Sequence, residues 1–397
     1  MKVEHASSAV FAAPARPARS NWIDLVGRYA LPLLAVVILG VIPFSLEVFR
    51  LGLAAKYLCY SFCAVGIVLI WGYTGILSLG QGVFFGLGSY MMAMFLKLEA
   101  AANPDSSSGT ALSAFFGAAG LPDFMSWNSV EKLPWWWEPF HHIAYTLIGI
   151  VAIPPLVAFI LAYANFRKRV GGVYFSIITL SLSAIMAIVI IGQQGYTGGV
   201  NGITDFKTFV GFDLDSDKAK RVMYFVTAGL LLVALLIGRF ILNSRLGKLL
   251  VAIRDREDRV RFSGYDPAMF KAFVFAVAAL FSSVGGALFT MQVGLASPSL
   301  VGIVPSIEMV IYAAVGGRLS LIGAVYGALL VNAAKTFFSE NFVAYWPYFI
   351  GILFIVVVMF LPGGLASIYE RLRMKFGARN GPATMQTPTV KAGAVAR

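Results

Sequence analysis

Charge is scarce in this sequence. Only 13% of its 397 residues are Asp, Glu, Lys or Arg, against about 25% in soluble domains. Hydrophobic residues make up 59%, and the mean hydropathy is +0.80. An ordinary soluble globule and a disordered chain are thereby excluded. Cysteine is limited to Cys59 and Cys63, too few for a disulfide-rich secreted scaffold. The two lie four apart in one apolar run, on one helix face, a geometry that does not favour a disulfide. His5, His141 and His142 are the only histidines, and none has metal-ligand spacing with Cys, Asp or Glu. The sequence has no glycine-rich phosphate loop ending in Lys-Ser or Lys-Thr. It also lacks a nucleophile–base pattern and the ladder of buried acids and histidines typical of proton-coupled carriers. The expectation is a chain that is not an enzyme and that binds no metal or cofactor of its own.

Long apolar runs are abundant. Ten occur, at 31–49, 54–73, 79–96, 143–164, 173–191, 222–242, 270–293, 304–317, 319–338 and 345–362. A helical span takes about 20 apolar residues, so the expected fold is an all-α integral membrane protein of about ten transmembrane helices. The run 304–317 is short, which fits a half-span or a helix held deep in the bundle. Residues 1–30, rich in Ala, Ser, Pro and Arg, lack a signal-peptide pattern and read as a disordered basic tail. The transmembrane domain is expected over 31–365, with a further tail at 366–397.

Lys and Arg placement sets the orientation. With the N-terminus inside, the inner segments hold 21 basic and 7 acidic residues, and the outer segments with their helix ends hold 8 and 11. Both termini are therefore expected in the cytoplasm. The net charge of +12 is then a property of one membrane face and calls for no nucleic acid. Three charges remain in span interiors: Arg239, Glu308 and Lys335. The two basic groups among these, Arg239 and Lys335, lie close enough to helix ends to snorkel. Glu308 either caps its helix or pairs with one of those cations, or else it faces a translocation path or gate.

Four segments carry further information. The inner loop 243–269 contains an amphipathic stretch with Leu249, Leu250 and Ile253 at helical spacing. Ala252 permits close approach there, and Gly264 suits a left-handed cap. The stretch fits either a groove on a soluble partner or a lipid-headgroup surface. Residues 72–88 hold six glycines, including Gly82-x-x-x-Gly86, which suits close helix packing or a broken helix beside a polar cavity. A weak echo, Leu-Ser-Leu followed by a Gly-x-x-x-Gly pair, recurs at 317–327. The outer loop 97–142 carries a Trp run at 135–137 that suits an interfacial belt or a docking surface, and the outer loop 192–205 is rich in turn formers and amides.

Residues 72–91, 247–261 and 306–317 resemble LivM-type permeases of branched-chain amino acid ABC transporters, with the likeness extending over about 50–365. Residues 121–139, 172–179, 201–206 and 331–336 resemble the urea-transporting, UrtC-type branch of that family. The resemblance implies a multi-pass subunit of a bacterial inner-membrane importer. Its partners would be a second homologous permease, two cytoplasmic ATPases that use ATP and Mg, and an extracytoplasmic binding protein delivering urea. The coupling helix that contacts the ATPases would hold Gly247, Leu250, Ala252, Ile253, Arg254 and Asp255. Urea is small, neutral and polar, so candidate path or gate residues are Ser78, Gln81, Asn201, Thr204, Ser306 and Glu308. A permease for branched-chain or other amino acids is the alternative, since a zwitterion calls for fixed charges or half-helix ends. An ion-driven carrier or channel is the alternative of another class.

Overall fold

The computed structural model describes residues 21–102, 121–206 and 208–342, with isolated positions 345, 348, 351, 352, 355, 359, 364 and 365. The chain falls into two units, Leu31–Ser367 and the terminal stretches Met1–Ala30 with Ile368–Arg397; of the latter, residues 21–30 are described, as helix. Of the expected tails 1–30 and 366–397, residues 1–20 and 366–397 lie outside the described residues, as does most of the apolar run 345–362, whereas 21–30 are helical rather than a disordered tail.

Among the described residues ten longer helices follow one another: α1 (Asn21–Val36), α2 (Val48–Gly72, ending in a π turn), α3 (Gln81–Ala102), α4 (Ile143–Arg167), α5 (Val173–Gly192), α6 (Asp217–Asn243), α7 (Arg245–Phe262), α8 (Pro267–Val293), α9 (Ile303–Gly316) and α10 (Leu321–Asn341). Among the described residues seven helices are long and apolar enough to cross a membrane: α2, α3, α4, α5, α6, α8 and α10. Tyr29–Ser45 and α9 are shorter apolar helices. A small hairpin, β1 (Thr208–Phe209) with β2 (Phe212–Asp213), lies between α5 and α6.

The helix of α1 starts at Asn21, ahead of the apolar run expected from residue 31. It continues through a π turn at Val37–Val41 into Ile42–Ser45. Pro43 has no N–H to continue the helical ladder, and Tyr224 of α6 donates to the Ile38 carbonyl at 2.7 Å.

The packing centre is α2, α3 and α8, which are mostly buried, whereas only about a quarter of α4 and of α5 is buried. Outward side chains such as Ile148, Leu156, Ile160, Ile185 and Ile188 are apolar, as lipid-facing surface requires. Small residues bring the central helices together. A Cβ at Gly286 of α8 would overlap the Phe85 carbonyl of α3, so only glycine permits this backbone approach. Cys59 and Cys63 are free and fully buried in this core.

The bundle has two ends. One brings together the end of α2, α7 and the 316–321 turn, where Gly72 packs on Arg318 and Arg254 reaches Gly72. The other brings together the end of α3, the 121–142 segment, the hairpin and the 293–297 turn. There Lys97, with its side chain 4% exposed, pairs with Asp123 at 3.2 Å and donates to the Thr204 carbonyl at 3.2 Å. Glu99 accepts from the Val210 and Gly211 amides.

Candidate functional site

The loop between α6 and α8 folds into α7. Ser244 caps it, its hydroxyl accepting from the Leu246 amide at 3.2 Å. Gly247, Leu250 and Ile253 are buried against the bundle, while Lys248, Ala252 and Asp255 are exposed along the opposite side. Spacings of four and three put those three on one outward stripe, with the smallest side chain at its centre. Arg254 does not join this stripe. Its guanidinium turns back, donating to the Gly72 carbonyl at 2.8 Å and to Asp255 at 3.1 Å. The helix is not continuous either, because Arg256 has φ −151° and ψ 81° and kinks it. Beyond the kink Glu257 binds Arg261 at 3.1 Å and Lys271 of α8 at 2.5 Å. Gly264 follows with φ +85°.

A second cluster lies where α3 and α9 begin. After α2 the chain leaves helical geometry at Gly75 (φ +74°) and runs irregularly to Gln81. Hydroxyls of α5 hold this stretch: the Leu79 amide donates to Thr179 at 3.1 Å and Ser176 donates to the Leu77 carbonyl at 2.7 Å. Gln81, Ser78 and Ser306 are all buried. Gln81 Oε1 accepts from Ser282 at 2.9 Å, and its Nε2 is buried without a partner. Ser306 and Ser183 share a hydrogen bond of 3.1 Å. Gly82 and Gly86 lie against Ser306 and Val301. The contacts at Gly82 and Gly86 are those of the close-packing reading, and the helix that carries them starts beside another helix start.

The α9 helix is short because the chain from α8 returns unwound. Gly294 takes a left-handed cap, and Ala296 forms an antiparallel bridge with Ile203, its amide and carbonyl bonded at 3.0 and 2.8 Å. A single 3-10 turn, Pro298–Leu300, leads to Ile303. Such backbone is tolerated at membrane depth only inside protein or beside water.

The other candidate path residues do not join this cluster. Asn201 is exposed and Thr204 half-buried, its hydroxyl donating to Asp205 at 2.8 Å. Glu308 is the sixth residue of α9 and does not cap it. Nor does it pair with Arg239, which is exposed on α6. It accepts instead from Lys335 at 2.9 Å to each oxygen and from Tyr312 at 3.2 Å. Lys56 is absent from the sequence-derived candidates, although it stands in a cavity beside Lys335. Its signal was a polar stripe inside apolar helices: Lys56, Tyr57 and Tyr60 on α2, with Asn332, Lys335, Thr336 and Ser339 on α10. Among the described residues no three His, Cys, Asp or Glu side chains could hold a metal ion.

Residues 49–358 match the family described as the branched-chain amino acid transport system permease component. The chain is 23% identical over 373 residues to the high-affinity branched-chain amino acid transport system permease protein LivM of Escherichia coli (strain K12), covering 88% of this chain and 78% of that protein. It is 24% identical over 308 residues to the permease protein BraD of the corresponding high-affinity system of Pseudomonas aeruginosa, covering 77% and 91%. It is 22% identical over 307 residues to the permease protein LivH of Salmonella typhimurium, covering 77% and 90%. No solved structure matches. With a family match over most of its length and seven helices able to cross a membrane, the chain belongs to the branched-chain amino acid transport system permease family and is a multi-pass membrane protein.

Proposed function

We propose that this chain is one of two homologous permease subunits of an ATP-driven importer in a bacterial inner membrane, and that its substrate is a branched-chain amino acid or a close relative. The observation that carries the reading is α7. A helix with its apolar side sunk in the bundle and a small-centred stripe facing outward suits a groove on a soluble subunit. Two ATPases would supply that groove and bind ATP and Mg, and a binding protein would deliver substrate to the opposite end.

The contacts of α7 support a route for the motion. Arg254 joins it to the end of α2, and the irregular stretch that follows leads to Gln81 at the start of α3. Glu257 joins the segment beyond the kink to α8 through Lys271. A displacement of α7 is thereby passed to three helices at once. A substrate shifts the resulting inward–outward equilibrium only by its differential affinity for the two states.

The names of the relatives favour amino acids over urea, the first expectation from sequence. The beginnings of α3 and α9 agree, since half-helix N-termini suit a substrate carboxylate. Urea remains a second reading on one observation: Gln81 and Ser306 are buried, uncharged hydrogen-bonding side chains, held by Ser282 and Ser183. Reconstitution of the whole complex in liposomes separates the readings. ATP-dependent uptake of labelled leucine is expected. ATP-dependent uptake of urea without leucine would overturn the amino-acid reading, and uptake that needs neither ATP nor a co-purifying ATPase would overturn the importer.

A further inference from the structure

Two lysines and a carboxylate meet on the face formed by α2 and α10. Lys56 is eight residues into α2, about 12 Å along its axis at 1.5 Å per residue. Lys335 is six residues, about 9 Å, from the end of α10. Both therefore lie inside the thickness that these helices span. Ionisable groups at such depth mark a substrate pathway or a water-filled cavity far more often than a lipid surface.

The cavity beside them has a volume of about 220 Å³ and is lined by Lys56, Tyr57, Tyr60, Asn332, Lys335, Thr336, Ser339 and Glu340. The charges are not balanced within it. Glu308 is engaged by Lys335, and Glu340 is engaged by Arg50 at 3.2 Å. The Lys56 ammonium lies over the Phe289 ring, 5.7 Å from its centre. No carboxylate among the described residues lies within ion-pair distance of it. Around it stand neutral hydrogen-bonding groups: Tyr57 and Thr336 are bonded to each other, and Asn332 is held by Tyr312 and the Ala328 carbonyl. The cavity is smaller than the 300–1,000 Å³ typical of drug-sized ligands, which suits a solute of amino-acid size.

We propose that this cavity is a station on the substrate path and that Lys56 receives the α-carboxylate of the transported amino acid. The proposal rests on the amino-acid importer reading above. An ammonium lacking a carboxylate partner at membrane depth gains most from an anionic group, and a zwitterion brings one. Glu308 is in contact with Lys335 and acts on Lys56 only from beyond ion-pair distance, so among the described residues Lys56 is the cavity ammonium without a contacting carboxylate. A neutral solute such as urea would leave Lys56 unmatched.

The test uses the complete complex in liposomes with its ATPases, second permease and binding protein. Uptake of labelled leucine is measured for wild type, Lys56→Gln, Lys56→Arg and Ser339→Asp. Lys56→Gln is expected to lower uptake at least tenfold, and Lys56→Arg to keep at least half. Ser339 is exposed at the cavity rim, so Ser339→Asp leaves the packing in place and sets a competing negative charge there. It is expected to lower uptake severalfold, which keeps the test valid if Lys56→Gln fails to assemble. Wild-type leucine uptake in Ser339→Asp and in an assembled Lys56→Gln would overturn the proposal and leave the importer reading intact. Loss of the second permease on purification of Lys56→Gln, with normal uptake by Ser339→Asp, would overturn it in favour of a subunit contact. A wild-type complex that moves urea but not leucine would overturn both.

Discussion

Replacing Arg254 by Ala tests whether α7 drives the bundle through its link to α2. The guanidinium donates to the Gly72 carbonyl at 2.8 Å, at the C-terminal end of a helix, where orphan carbonyls and the helix dipole both favour a cation. A charge-assisted hydrogen bond is worth about 1.5–3 kcal/mol. The side chain is 32% exposed, and screening by water brings the figure to about 1–2 kcal/mol. That changes a two-state population about 5- to 30-fold. If the bond transmits the stroke, molecules transported per ATP hydrolysed should fall by about that factor in Arg254→Ala, while the complex still assembles and hydrolyses ATP. Lys carries the charge without the planar fork, so Arg254→Lys should recover part of the ratio. The assay is parallel measurement of uptake and phosphate release in liposomes. An unchanged ratio in Arg254→Ala, or a loss that Lys does not relieve at all, would refute the link.

Three further outcomes are expected. Ala252→Pro places a ring in the exposed stripe of α7 and removes a helical N–H at a cost of about 3 kcal/mol or more; it should abolish coupled uptake while the spans stay folded, checked by circular dichroism and ATPase co-purification. Asp123→Asn removes the negative charge facing Lys97, whose side chain is 4% exposed and keeps only neutral acceptors such as the Thr204 carbonyl; breaking a buried pair costs about 3–5 kcal/mol, and Lys97→Met combined with Asp123→Leu should restore most of the loss in unfolding measurements. With Cys59 and Cys63 replaced, a cysteine at Asn201 should react with an impermeant thiol reagent added outside, and one at Ser263 only after the membrane is opened; the reverse pattern would invert the orientation.

Much of the architecture was legible because a bilayer demands long apolar runs and leaves them plain in the sequence. The seven long helices coincide with such runs. The shortness of α9 was legible as well, since Gly294, Pro298 and Gly302 interrupt what would otherwise be one apolar stretch. Contacts between distant segments were not. Nothing near Arg254 in the chain says that its partner is the Gly72 carbonyl, 182 positions away. For Glu308 the sequence offered a helix cap, a path or gate, or two cationic partners, and choosing Lys335 required the crossing of α9 and α10. Lys56 stands only two residues into the apolar run that starts at 54, where it reads as one of the outer helix ends, whereas α2 begins at Val48 and carries the lysine inward. The kink at Arg256 left no mark either, because arginine is a good helix former. Asn201 and Thr204 share residue chemistry with Gln81 and Ser306 but sit near the opposite end, which composition cannot distinguish.

The length of α9 bears on how the chain enters the membrane during synthesis. Its 14 residues reach about 21 Å at 1.5 Å per residue, short of the roughly 30 Å hydrocarbon layer. The segment before it is unwound backbone tied to Ile203 through Ala296. A ribosome-bound chain ending just after Arg318 would therefore offer the translocon a segment too short to partition alone, with polar backbone at one end. Such a segment is expected to insert together with its neighbours α8 and α10, and stable integration of a chain truncated after Arg318 would refute that expectation.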